Sequence, residues 1–177
     1  SCTLNGSTYY ASARWMFSGE AYAKVKEEGP IALGLAALLV LLLLSIDLRR
    51  ISLTLKAFLP LLAGILISLG LALQLGLVLN LFNIIVLPVI FGIGVDTAIH
   101  LIHRRRQGAS LEITLRTTGK AAILSALTTA IGFGSLWSAP SVGLQSIAQL
   151  ALIGVLGTTC VTTLGIAALE RLTDPAP

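Results

Sequence analysis

The sequence predicts an all-α, polytopic membrane bundle of five spanning helices with a small extracytoplasmic remnant at its amino end. Three observations predict it. The chain of 177 residues is 55% hydrophobic and 11% charged, with a mean hydropathy of +0.92, whereas soluble domains carry about 25% charged residues. Five apolar segments approach the roughly 20 residues that a helix needs to cross a bilayer. The basic residues between those segments fall on alternate links, as the positive-inside rule requires.

The elements follow in order. Residues 1–30 are polar enough to stand outside the membrane: 7–14 suits a short strand, 19–28 a polar lead-in helix, and Gly29-Pro30 marks the junction. The first span covers 31–46 and is short, so it is expected to extend upstream past Pro30. The others cover 57–75, 81–102, 121–137 and 147–169, with 31–172 forming the bundle and 173–177 a short tail. Pro88 removes one backbone hydrogen bond from the third span and is expected to bend it. The link 103–120 is more than a turn. Ser110 ahead of Glu112 and Ile113 suits a capped helix start. Leu111 and Leu115 with Arg116 and Lys120 make an amphipathic stretch suited to the inner membrane surface. Arg104 to Arg106 serve as a topology anchor, with anionic lipid as the alternative partner.

Orientation follows from charge. Arg49, Arg50, Lys56, Arg104, Arg105, Arg106, Arg116, Lys120 and Arg171 are nine of the twelve basic residues, and all fall on one side of the alternation. That side is cytoplasmic, which puts the amino end outside and the carboxyl end inside. A translocated amino end with neither a signal peptide nor an initiating Met is explained most simply by a missing upstream span. The chain is therefore expected to be a piece of a longer protein.

Asp96 lies inside the third apolar segment. A carboxylate that deep in a bilayer costs roughly 2.5–3.5 kcal/mol on insertion scales, so such residues usually carry a function. Gly92, Asp96 and His100 recur at steps of four and share one helix face. In a low-dielectric setting an unpaired carboxylate favours its neutral form, and contact with water or a cation returns it to the charged form. That exchange links protonation to conformation, as a proton-coupled transporter needs. His100 is one turn toward the cytoplasm and is placed to relay protons, with the Thr97 hydroxyl beside the carboxylate and Thr128 and Thr129 as candidates on the next span. The alternative is that Asp96 bonds a neighbouring helix as structural glue, and that the hydroxyls satisfy their own backbone. Close helix contact is expected at Gly92, Gly94, Gly132 and Gly154, within small-residue patterns that include Ser125, Thr158 and Gly165.

Several classes lack support. Cys2 and Cys160 do not suggest a pair, and no CxxC, HExxH or His/Cys cluster supports a metal, so no metal or cofactor is expected. The glycines of FGIGVD lie within a membrane span and follow no strand, which argues against nucleotide binding. The net charge of +4 is topological, so nucleic acid is not an expected partner. With no nucleophile–base pair, paired carboxylates or phosphate loop, an enzyme is not expected.

The string FGIGVDTAIHLIHRRRQ at 91–107 resembles the fourth or tenth spanning helix of the resistance-nodulation-division (RND) superfamily, and TTGKAAILSALTTAIGFGSLW at 117–137 resembles the helix that follows. FLPLLAG at 58–64 adds to the likeness, which covers about residues 18–172 and points to the MMPL and hopanoid-exporter-like branch. The resemblance implies a bacterial inner-membrane exporter of lipid or other hydrophobic molecules, driven by the proton-motive force. Its architecture would be two six-helix halves, each with an extracytoplasmic porter domain. Residues 1–30 would then end a porter domain, and the five spans would belong to one half, with the short tail after the fifth favouring the carboxy-terminal one. The partners implied are the bilayer, the other half or a second copy, and a lipid substrate. In the family the acidic residue at the position of Asp96 lies in the proton relay, but Thr97 stands where many members have Tyr or a second Asp. Two other readings fit the helix arrangement: a sterol-sensing or lipid-binding module that does not pump, and a SecD/SecF-type accessory subunit of protein export.

Overall fold

The computed structural model describes residues 2–4, 7–9, 14–77 and 81–173. Among them the order is a hairpin of β1 (Cys2–Leu4) and β2 (Ser7–Tyr9), then α1 (Arg14–Leu48), α2 (Ile51–Gln74), α3 (Leu81–Arg106), α4 (Leu111–Thr114), α5 (Lys120–Gly134) and α6 (Val142–Thr173). The hairpin is antiparallel, with Cys2 opposite Tyr9. A π turn at Leu115–Gly119 joins α4 to α5, and a 3-10 turn at Ser135–Ser138 extends α5. Five stretches are long and apolar enough to cross a membrane: Gly29–Leu48, Ile51–Gln74, Val86–Arg106, Leu111–Ser138 and Val142–Thr173. Apart from the hairpin, the protein is a multi-pass, all-α membrane bundle.

The strand expected over 7–14 is β2, which occupies Ser7–Tyr9; 10–13 and the tail 174–177 lie outside the described residues. Gly29-Pro30 does not break the chain, because α1 runs through Pro30 without interruption. A proline forfeits one helix hydrogen bond, and spanning helices tolerate that where water or a neighbour takes the freed carbonyl. The α1–α2 link is only two residues long. Arg49 makes it possible by adopting a left-handed φ of 52° while its N–H donates to Ser45 O at 3.0 Å.

Several helices run beyond the apolar segments that mark them. The reason is polar pairing at one end of the bundle. Lys56 on α2 donates to Glu170 Oε1 at 3.3 Å and to Thr173 Oγ1 at 2.8 Å. Arg105 on α3 donates from Nε to Glu170 Oε2 at 2.9 Å and from a terminal nitrogen to Ala109 O at 2.8 Å. Glu170, only 8% exposed, thus ties α2, α3 and α6 together. At the same end His103 Nε2 meets Asp47 Oδ2 at 2.6 Å and links α3 to α1. Ser110 caps α4 by accepting the Ile113 N–H at 3.3 Å, as its sequence suggests.

The centre of the bundle is α6, packed on α2, α3 and α5. Leu61 and Ile65 of α2, Ile90 and Leu101 of α3, and Leu150 and Val155 of α6 are buried between them. Small residues permit this approach. A methyl at Gly64 would stand 3.1 Å from Thr158 Cα, and one at Gly165 only 2.7 Å from Pro60 Cβ. The outward surfaces of α1 and α2 carry Leu35, Leu39, Leu42, Leu55 and Leu59, all exposed, which is the surface that a helix presents to lipid.

Candidate functional site

The third span positions the candidate site by its repeat alone. Residues four apart stack on one helix face, about 6 Å from turn to turn. On α3 that puts Asp96, His100 and Arg104 in one column, a carboxylate followed by an imidazole and a guanidinium. All three line a cavity of about 680 Å³ together with Ile93 and Thr97. The opposite wall comes from the π turn and the start of α5, through Thr117, Thr118, Ala121, Ala122 and Ser125. A cavity of that size with this many hydroxyl and charged groups is roomy and polar enough to hold water.

The individual residues differ in how they are held. Thr97 is buried, and its hydroxyl donates to Ile93 O at 3.1 Å, so it is satisfied by its own helix. Thr117 donates in the same way to Ile113 O at 2.7 Å. Arg104 donates to Gln107 Oε1 at 3.3 Å. Asp96 and His100 have no hydrogen bond or ion pair among the described residues, and both are exposed on the isolated chain. An uncovered carboxylate at this depth is costly against acyl chains, so this face needs water or further protein over it.

Thr128 and Thr129 do not line the cavity. Each spends its hydroxyl on the carbonyl four residues back, Leu124 O and Ser125 O, both at 3.0 Å. Gly94 is pressed against Leu61 and Thr158, and Gly154 against Ile90. Gly92 and Gly132 have open space where a side chain would stand, with no atom within 4 Å. Whatever they accommodate is not a neighbouring helix among the described residues. His103 does not face the cavity and pairs with Asp47.

Sequence reasoning left out Arg104, Thr117 and Thr118, having assigned all three to the link beyond the span. The missed signal was periodic: Thr118, Ala122 and Ser125 continue the face of α5 backwards at steps of four and three. Glu170 was missed for the same reason, since Thr159, Thr163 and Glu170 share the buried face of α6. Among the described residues no group of His, Cys, Asp and Glu could hold a metal ion.

No family model matches the sequence, and no solved structure matches it. Three curated proteins are similar. The hopanoid transporter HpnN of Rhodopseudomonas palustris (strain TIE-1) is 38% identical over 129 residues, 72% of this chain and 15% of that protein. The hopanoid transporter HpnN of Burkholderia multivorans (strain ATCC 17616 / 249) is 34% identical over 116 residues, 66% of this chain and 13% of that protein. The chain belongs to the hopanoid-exporter-like branch of the RND superfamily. The putative membrane protein MJ1562 of Methanocaldococcus jannaschii is 27% identical over 124 residues, 66% of this RND chain and 32% of that protein. This RND chain thus spans about one seventh of the length of the two hopanoid transporters that it matches.

Proposed function

We propose that the chain forms part of one transmembrane half of a proton-motive-force-driven exporter of lipid or other hydrophobic molecules, the carboxy-terminal half of a two-half protein. The observation that carries this reading is the column of Asp96, His100 and Arg104 facing a hydroxyl-lined cavity inside a membrane bundle. In this mechanism Asp96 takes a proton from the extracytoplasmic side and becomes neutral, which lets α3 move against its neighbours. Release toward the cytoplasm passes through His100, one turn further along the same face, with Arg104 beyond it at the end of the cavity. Thr97, Thr118 and Ser125 line the water that connects these groups. Thr128 and Thr129, bonded to their own backbone, serve the helix and stand outside the relay.

The same reading assigns residues 1–30 to the end of an extracytoplasmic porter domain and its lead-in helix, 31–172 to the bundle and 173–177 to a cytoplasmic tail in the inner membrane. The face that carries Gly92, Asp96 and Gly132 is the one that the other half, or a second copy, covers. The names of the two similar transporters favour a hopanoid-like cargo, a rigid apolar lipid.

The test is Asp96→Asn in the complete reading frame. Transport of a labelled lipid into energised inside-out vesicles, whose lumen corresponds to the extracytoplasmic side, is expected to fall to background, while expression and thermal unfolding stay unchanged. Retained export would sink the reading. Lipid binding that persists after a gradient-collapsing agent, in a protein with no gradient-dependent export, would favour a lipid-binding module without pumping.

A further inference from the structure

A second polar cavity lies at the other side of α3, away from the Asp96 column. It measures about 650 Å³ and opens between the end of α6 and the amphipathic α4 with its π turn. Its apolar wall is Leu111 and Leu115; its polar wall is Arg116, Arg171 and the Glu112 carboxylate, over a floor made by Arg105 and Glu170, so three guanidinium groups face two carboxylates. On the floor Glu170 already takes Lys56 and Arg105, one carboxylate to two cations. The rim is held more loosely. Arg171 is exposed and has no hydrogen bond or ion pair among the described residues. Arg116 meets only Glu112, at 3.0 Å, in a fully solvated i,i+4 pair that holds the guanidinium weakly.

We propose that this cavity binds the phosphate headgroup of one anionic phospholipid, with an acyl chain laid along Leu111 and Leu115. The depth is right for it. The cavity sits where the third and fifth spans end and the fourth begins, at the level of the headgroups. The chemistry is right as well: two guanidinium forks match a phosphodiester, and basic pockets between spanning helices at the cytoplasmic surface are suited to anionic headgroups. A soluble phosphate would engage the arginines but gain nothing from the leucine wall. The site shares no residue with the proposed proton relay, so either can fail without the other.

The test uses the protein of the complete reading frame, purified in detergent, titrated with phosphatidylglycerol or phosphatidylcholine and read by native mass spectrometry. It is expected to retain one phosphatidylglycerol in clear preference to phosphatidylcholine. Arg116→Gln and Arg171→Gln are each expected to weaken that retention about five-fold, the effect of removing one basic residue from a headgroup. Both side chains are exposed, so the variants keep the fold, which helical circular dichroism checks. Arg49→Gln/Arg50→Gln, basic residues outside the cavity near the same end, is expected to leave retention unchanged. Equal retention of the two lipids overturns the proposal, as does an equal loss in the Arg49/Arg50 variant, which would indicate general surface charge. Glycerol 3-phosphate binding as tightly as phosphatidylglycerol would identify a soluble-anion site and overturn it too.

Discussion

Two pairs of hydroxyl groups on the fourth span differ in their place, and the difference makes a prediction. Thr128 and Thr129 donate to their own helix and lie off the cavity, whereas Thr118 and Ser125 line it. Thr128→Val and Thr129→Val are therefore expected to leave transport near the unmodified level, while Thr118→Val or Ser125→Ala lowers it several-fold, measured as proton-driven lipid export in vesicles. The reverse order would break the proposed relay. Buried hydroxyls on α6 give a second prediction. Thr159 and Thr162 are buried without a hydrogen-bond partner. Replacing such a group by an isostere of the same shape removes a desolvated polar atom without opening a cavity. Thr159→Val is expected to leave thermal stability unchanged or raise it by about 1 kcal/mol. The α3 face of Asp96 and His100 was legible in the sequence, because steps of four inside an apolar run need no tertiary information. The facing wall was not, since hydropathy ended the span at Ile102 and began the next at Ala121, which removed Arg104, Thr117 and Thr118 from consideration.

Elements pack here through glycines, and they are not equivalent. A side chain at Gly154 would meet Ile90, and one at Gly165 would meet Pro60. Gly154→Val and Gly165→Val are expected to destabilise the bundle by about 1–3 kcal/mol, the range for overpacking. Gly92→Val and Gly132→Val, with open space around them, are expected to leave the unfolding temperature of the chain nearly unchanged. Unfolding in detergent, followed by circular dichroism, separates the two pairs. The Glu170 junction adds an electrostatic case. Glu170→Gln leaves Lys56 and Arg105 facing a neutral group in a partly buried site, and breaking such a pair costs about 3 kcal/mol. An unchanged unfolding temperature would show that the three helix ends hold by apolar contact alone. Small-residue spacing foretold that helices would approach closely. Which glycines have neighbours depends on helix rotation, which the spacing does not specify.

At the scale of the whole molecule, the five spans were legible because bilayer thickness acts on length and composition, without reference to packing. The ends were less so. Lys56 and Glu170 are charged, yet they belong inside the fold because each finds a partner on another helix. Orientation yields a direct check. In a background without Cys2 and with the exposed Cys160 replaced by Ser, a cysteine at Gln107 is expected to react with a membrane-impermeant maleimide only in inside-out vesicles. One at Ser141 is expected to react only in right-side-out ones. The opposite result would invert the proposed topology.

The unbroken length of α1 carries a mechanical consequence. Its 35 residues amount to about 52 Å, against a hydrocarbon thickness of about 30 Å, so about two fifths of the rod exceeds the hydrocarbon layer. The Asp47–His103 clasp and the two-residue elbow at Arg49 pin its other end. A rod held at one end acts as a lever: any rocking beside the clasp is enlarged along its length toward Arg14.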